Sequence, residues 1–444
     1  MATTAELAAE ERGRDHGLVR AMGVFAFAAA ITNEVVGSGI YRLPASMATA
    51  AGTAAPYAYL ACLVAMGAVV LCFSEAGSRI STSGGPYGYV EAAFGKGPGF
   101  VAGVLLWLSS VLACGGVAAA LADTAGSAFP LFAQPGVRQI LIIGVLGIMA
   151  GINIVGVDLA AKVLGWATVI KVLPLLLFLV VGGIGLAMGH SAATPITHAP
   201  DANFGRAAIL AMFALTGMET PLAASGEVRD PARTVPRALL LAMGSIGILY
   251  IAIQLIADAL FGAGLMTSGA PLADALGTLD PRWRAPLLIG AFFSMLIWLG
   301  SDFLGAPRVL FAFARDGMLP SVLGKVHPRW RTPYWGIIVH FLLAAGLALT
   351  GTFEKLAILS TLAIAPLYFL ACASAVVLKR RNIATLGKPL ALPGIPFIAA
   401  FGMLCMVVLV ALAQWSEIIA LAGVLVGSSL LYLVMRPRGR AGSM

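Results

Sequence analysis

Charge is what this sequence has least of. Only 11% of its 444 residues are charged while 60% are hydrophobic, whereas a soluble domain carries about 25% charged residues. That excludes water as the solvent for most of the chain. No Gly-x-x-x-x-Gly-Lys phosphate loop occurs, which disfavours an ATP-driven machine, and no His-Glu-x-x-His pair or other catalytic set suggests an intramembrane enzyme. The five cysteines (Cys62, Cys72, Cys114, Cys372, Cys405) fall inside apolar runs. They lack the paired spacing of a metal site and the loop placement of a disulfide framework, so they read as packing residues. No cofactor or metal is expected, and both polar tails are short, unlike the long cytoplasmic tail of a nutrient sensor.

What is present is a series of apolar stretches long enough to span a hydrocarbon core as helix. They lie near 21–50, 56–78, 98–125, 137–157, 161–188, 205–228, 237–262, 285–313, 333–351, 354–378, 393–413 and 416–435. The expectation is an all-α integral membrane protein with twelve transmembrane helices. The first span lacks a small-residue cleavage site and reads as retained rather than as a signal peptide. Only Arg42, Arg138, Arg206, Arg282, Arg284 and Lys355 fall on the face opposite the N-terminus, and Lys171 lies within a span. The remaining lysines and arginines share the N-terminal face, which places both termini in the cytoplasm and the chain in the cytoplasmic membrane. The net charge of +8 is thereby a matter of topology; scattered loop ends are not the clustered surface that nucleic acid requires.

Two spans are interrupted by glycine, the first at Gly37-Ser38-Gly39 within Val35-Val36-Gly37-Ser38-Gly39-Ile40 and the second within Ala214-Leu215-Thr216-Gly217-Met218-Glu219-Thr220-Pro221. Val36, Gly37, Ser38, Gly39 and Ile40, with Phe213, Ala214, Leu215, Thr216 and Gly217, are the residues expected to hold substrate. The two spans are five apart, an odd number, so the second unit enters the membrane from the opposite side. The implied organisation is a tail (1–20), a five-helix repeat (21–190), an inverted second repeat (204–381), a terminal helix pair (391–435) and a second tail (436–444). Unwound backbone survives in lipid only where it is buried in protein or lines a polar cavity. The amides opening the second half of span 1 suit a carboxylate. Free carbonyls at Ala214, Leu215 and Thr216, and those ending the first half of span 1, suit an ammonium. Together they describe an α-amino acid backbone and a secondary carrier rather than a channel, which would show a polar pore face or filter. Close packing is the competing role for such glycines.

These residues resemble the amino acid–polyamine–organocation superfamily of permeases. The likeness is carried by Gly37-Ser38-Gly39-Ile40-Tyr41 with Pro44, Gly84-Gly85-Pro86-Tyr87-Gly88-Tyr89 with Phe94-Gly95, and Asn153 with Gly156-Val157. It continues through Glu219, Glu227 to Arg237, and Arg308 to Thr332 with Ala314-Arg315-Asp316-Gly317-Met318-Leu319-Pro320. The resemblance implies ten core helices, alternating access, and a small-molecule substrate, an amino acid or amine, held between spans 1, 3, 6, 8 and 10. It also implies protons or a counter-substrate as the coupled species, with lipid as the surroundings. Phe213 sits where many members place an aromatic gate, with a plain core phenylalanine as the alternative.

Four ionisable residues lie within spans, where insertion costs about 2.5 to 3.5 kcal/mol each. Lys171 occupies the place where sodium-independent members of this family carry a lysine instead of the ion; it is expected to couple transport to protons or to replace a cation permanently. Glu219, two residues past Gly217, either braces the break or carries a proton. Glu34 shares the helix face of Gly37 and Ser38 and should look toward the cavity. Asp302 departs from the family pattern, and with Glu34 it favours a cationic side chain or a polyamine. The rival is internal pairing, with Lys171 neutralising one of the carboxylates and Asp302 pairing with Arg308 or capping a local kink. Asp258 and His340 read as structural or interfacial groups. The expected function is a sodium-independent amino acid carrier that favours cationic substrates. A polyamine or organocation antiporter and a neutral amino acid permease are the alternatives, with a transporter-like sensor from another class.

Overall fold

A computed structural model of the chain describes residues 21–80, 85–155, 157–196, 203–223, 225–385 and 388–435. The expected tails at 1–20 and 436–444, together with Gly84 and Gly156, lie outside the described residues. Within them the structure is helical, with one isolated bridge between Met22 and Val228 and no named strand.

The first interrupted span forms α1 (Val24–Val35) and α2 (Ser38–Ala51). Then come α3 (Ala55–Arg79), α4 (Gly85–Phe94), α5 (Lys96–Ala128), α6 (Val137–Val155) and α7 (Val157–Ala187). The second interrupted span gives α8 (Phe204–Ala214) and the short α9 (Glu219–Leu222). The chain continues through α10 (Pro231–Phe261), α11 (Pro271–Gly277), α12 (Arg284–Gly305), α13 (Pro307–Arg315), α14 (Tyr334–Thr350) and α15 (Phe353–Arg380). The last two helices are α16 (Ile395–Ala411) and α17 (Trp415–Met435).

Local chemistry explains several boundaries. Asn203 caps α8 by accepting from the Arg206 amide at 2.9 Å, and Thr352 does the same for α15 through the Lys355 amide; both satisfy a donor the helix itself cannot. The span expected at 285–313 is divided into α12 and α13 at Pro307, whose ring and missing N–H prevent the helix from continuing unchanged.

Among the described residues, eight helical stretches are long and apolar enough to cross a membrane, and four shorter apolar helices accompany them: α1, α8, α14 and α16. The surface, rather than the interior, is the inverse of a soluble protein's. Phe25 and Phe397 are 82% exposed and Val434 80%, whereas Lys171 and His340 are 0% exposed. Large apolar side chains face outward, and the buried positions include the charged and polar ones, as expected when the solvent is hydrocarbon. Helix α15 runs along α5, and α10 along α3. Reciprocally, α1 packs on α10 while α8 packs on α3. The two interrupted helices thus sit at the centre, with α16 covering α3 and α15, and α17 covering α5.

A buried ion pair closes one end of α3. Arg79 donates to Glu75 at 2.7 Å, with both side chains almost wholly buried. Glu75 also accepts from the Leu392 amide at 2.8 Å, and Arg79 donates to the Ile383 carbonyl at 3.2 Å. The pair therefore pins the segment between α15 and α16. Arg79→Ala leaves Glu75 buried without a counter-charge, and the expected loss is about 3–5 kcal/mol of stability. A thermal unfolding series of the detergent-solubilised protein measures it; an unchanged midpoint would show that the segment is held by other contacts.

Candidate functional site

A helix that stops inside a membrane leaves its last four carbonyls without intrahelical donors. In α1 these belong to Thr32, Asn33, Glu34 and Val35, and each has a partner. The Val36 amide donates to Thr32 at 2.8 Å. The Lys171 ammonium donates to Asn33 at 2.6 Å, the Trp298 indole to Glu34 at 2.8 Å, and the Tyr250 hydroxyl to Val35 at 3.1 Å. Three side chains from α7, α12 and α10 thus cap one buried helix end. Lys171 also joins the two halves of the span, because its own carbonyl accepts from the Tyr41 hydroxyl of α2 at 2.9 Å. Pro174, one turn further along α7, lacks the N–H that an unbroken ladder would supply, which loosens the helix beside this junction.

The interruption itself is shorter and earlier than the sequence suggests. Helical geometry ends at Val35 and resumes at Ser38, so the unwound residues are Val36 and Gly37. Ser38 and Gly39 form the first turn of α2, and the side chain of Ser38 lies outside what the structure describes. The reason for glycine at 37 is the Trp298 ring: a Cβ there would lie 2.9 Å from its Cδ1.

The second interruption runs from Leu215 to Met218. Gly217 has φ +116°, a conformation open to glycine, and a Cβ at that position would approach the Glu34 carbonyl oxygen to 3.0 Å. Glu219 holds the loop in this shape. One carboxylate oxygen accepts from the Gly217 amide at 2.9 Å and the other from the Tyr368 hydroxyl at 2.7 Å. Its geometry is that of a brace, and the carboxylate is fully engaged.

The two interruptions meet at a narrow cavity of about 40 Å³. Of the residues expected to hold substrate, Gly37, Gly39, Phe213, Ala214, Thr216 and Gly217 line it, with Glu34 beside them. Val36, Ile40 and Leu215 are buried but do not line it. Phe213 is 8% exposed and packs edge-on against Phe353 of α15, with ring centroids 5.9 Å apart. Glu34 is buried and lies within electrostatic reach of Lys171 and Asp302. Val35, which opens the first interrupted stretch, also lines the cavity, as do Ala113, Val117 and Trp298; the last three belong to no motif and carry no charge that would single them out.

Each carbonyl ending α1 already accepts a hydrogen bond from the protein, so an ammonium there would share its acceptors. One expectation needs correction. Asp302 does not line the cavity. Nor is it paired with Lys171 or Arg308: it meets His340 of α14 at 2.9 Å and accepts from Ser110 of α5. His340 is correspondingly a core residue, completely buried, rather than an interfacial one. The helices carrying Asp302 and His340 both pack on α5, which no spacing along the chain reveals. Asp258, also set aside, accepts from Gln254 at 2.8 Å one turn earlier on its own helix.

A family model described as amino acid permease matches residues 22–435. An uncharacterized transporter of Mycobacterium bovis is 30% identical to this chain, covering 71% of it and 70% of the relative. An uncharacterized transporter of Mycobacterium tuberculosis is 29% identical over 78% of this chain and 77% of the relative. The cadaverine/lysine antiporter of Escherichia coli is 27% identical over 69% of each chain.

Gly217→Ala must fit a methyl group against the Glu34 carbonyl in a strained backbone. It is expected to destabilise the fold by about 1–3 kcal/mol. Gly244→Ala, at an exposed helical position with open space around it, is expected to be neutral or stabilising by up to about 1 kcal/mol. Thermal midpoints of the two variants in the same detergent make the comparison; equal midpoints would contradict this account of the second interruption.

Proposed function

Because this chain belongs to the amino acid permease family, and is therefore a multi-pass membrane transporter rather than an enzyme, we propose that it carries amino acids or closely related amines by alternating access, independently of sodium. The observation that carries the reading is the meeting of two helix interruptions at one cavity. Amides at the start of α2 supply partial positive charge for a carboxylate. Carbonyls at Ala214, Leu215 and Thr216 supply the complement for an ammonium. The cavity is narrow, so loading requires its walls to part; Phe213, resting on Phe353, is the side chain proposed to swing as the gate.

Sodium independence rests on Lys171. Its ammonium already occupies the carbonyl end of α1, where a bound cation would otherwise be needed to offset the partial negative charge. In the coupled form of this proposal, that proton is exchanged with the medium during each cycle. The twelve-span arrangement, the inverted repeat and two cytoplasmic termini belong to the same reading. The reciprocal packing of α1 on α10 and of α8 on α3 supports the repeat, and the lysine and arginine distribution supports the orientation.

For the side chain of the substrate, Glu34 is the acidic group on the wall, and it favours a cationic amino acid or diamine. With Asp302 facing His340 and bonded by Ser110, this preference rests on Glu34. The cadaverine/lysine antiporter among the relatives is in keeping with such a cargo and makes amine exchange the second reading.

Counterflow in proteoliposomes tests this directly, with lysine, ornithine, arginine, cadaverine and leucine, each with and without a pH gradient. Saturable counterflow of at least one cationic member is expected, insensitive to replacing sodium with potassium. Glu34→Gln should weaken cationic substrates by roughly tenfold or more relative to leucine, a difference of about 1.4 kcal/mol. Lys171→Ala should abolish any response to the pH gradient. No counterflow of any panel member would overturn the assignment of cargo, and normal pH-dependent uptake by Lys171→Ala would overturn the coupling role.

A further inference from the structure

One cluster of ionisable side chains stands apart from the cavity. Cys114 of α5, Asp302 of α12 and His340 of α14 are all buried, and one ligand-type atom from each lies within 4.8 Å of the others. Their contact is unusual in one respect. His340 Nε2 and Asp302 Oδ2 approach to 2.9 Å, yet neither atom has a hydrogen-bond partner, and His340 Nδ1 has none either. At that separation only direction can be at fault, so the lone pairs do not aim at one another. Two donor atoms each about 2.0–2.2 Å from one metal ion stand about 3.4 Å apart in a tetrahedral site, so the pair opens by about 0.5 Å to take the ion between them.

The rest of the carboxylate fits the same picture. Oδ1 is held by the Ser110 hydroxyl, which leaves Oδ2 to face the imidazole and the Cys114 thiol. That is a carboxylate presenting one oxygen while its other oxygen is oriented from behind, the supporting arrangement that fixes metal ligands. The Phe303 ring stands edge-on to His340 with centroids 5.0 Å apart, limiting the orientations the imidazole can take. Charge closes the argument. A divalent ion with one thiolate, one carboxylate and a neutral imidazole sums to zero, the condition under which hydrocarbon surroundings tolerate it. The mixed sulfur, nitrogen and oxygen set suits zinc or a metal of similar softness and not calcium or magnesium, which take oxygen alone.

We propose that Cys114, Asp302 and His340 form a buried site for a zinc-class divalent ion that ties α5, α12 and α14 together, with a fourth position left to water. The sequence reading expected no metal because it looked for ligand spacing along the chain; these ligands come from three separate helices. Asp302 shares α12 with Trp298 of the cavity wall, so the tie also steadies that wall without touching the cavity.

The full-length chain, purified in detergent and stripped with a chelator, is titrated with Zn²⁺ alone and separately with Co²⁺. One zinc per chain and a raised unfolding temperature are expected, and the cobalt form should show sulfur-to-metal charge-transfer absorption. Ser110→Ala, which removes the support for Asp302, should weaken zinc by roughly 10–100-fold. Cys114→Ser and His340→Gln should weaken it further, and Cys114→Ser should erase the charge-transfer band. Cys405→Ser should match wild type. Absence of stoichiometric zinc, a cobalt spectrum without the thiolate band in wild type, or wild-type affinity in Cys114→Ser would each overturn the site. The wild-type spectrum decides the matter even where a variant fails to fold.

Discussion

Everything at the centre of this protein follows from one constraint: the carbonyl end of α1 is buried among helices, and each of its four exposed acceptors must find a donor. An unsatisfied buried group costs about 1–3 kcal/mol, so four left open would offset much of the stability of an ordinary domain. The solution is two backbone amides, of Val36 and Gly37, and three long side chains, Lys171, Trp298 and Tyr250, drawn from α7, α12 and α10. These contacts fix where three helices stand around the interruption. Lys171 does most, because a charged donor makes the strongest such bond and because its own carbonyl reaches across to Tyr41.

The second interruption is solved differently. Here a carboxylate, Glu219, accepts from the Gly217 amide and from Tyr368, and the positive φ of Gly217 lets the loop press against the Glu34 carbonyl. One break is held by a lysine that donates to backbone, and the other by a carboxyl group that accepts from backbone and from a tyrosine. What remains for a ligand is the space between them, with the amide end of α2 on one side and the carbonyl end of α8 on the other. The asymmetry gives the cavity a direction.

Much of this was legible in the sequence where glycine or charge interrupted an apolar run. The two interrupted spans and the odd charges Glu34, Lys171 and Glu219 all stood out, because each is expensive in lipid. The residues that complete the site were not legible. Trp298 and Tyr250 are aromatic side chains in aromatic-tolerant helices, and nothing local marks them as caps. The offset of the first break, from Gly37-Ser38-Gly39 to Val36-Gly37, depends on Trp298 lying over Gly37, a contact between residues far apart in sequence. Asp302 was visible as an intruder, but its partner His340 sits on another helix beyond a long connection. Side chains that serve one another across helices leave no periodic signal.

The central claim is that Lys171 holds the first helix interruption in place. Hydrogen–deuterium exchange of the intact protein in lipid nanodiscs, wild type against Lys171→Met, tests it most directly, since methionine keeps much of the side-chain volume but loses the ammonium. Faster exchange confined to peptides spanning residues 31–41 and the facing stretch 215–219, with α5 and α15 unchanged, is the predicted result. Exchange at residues 31–41 identical to that of wild type would contradict it.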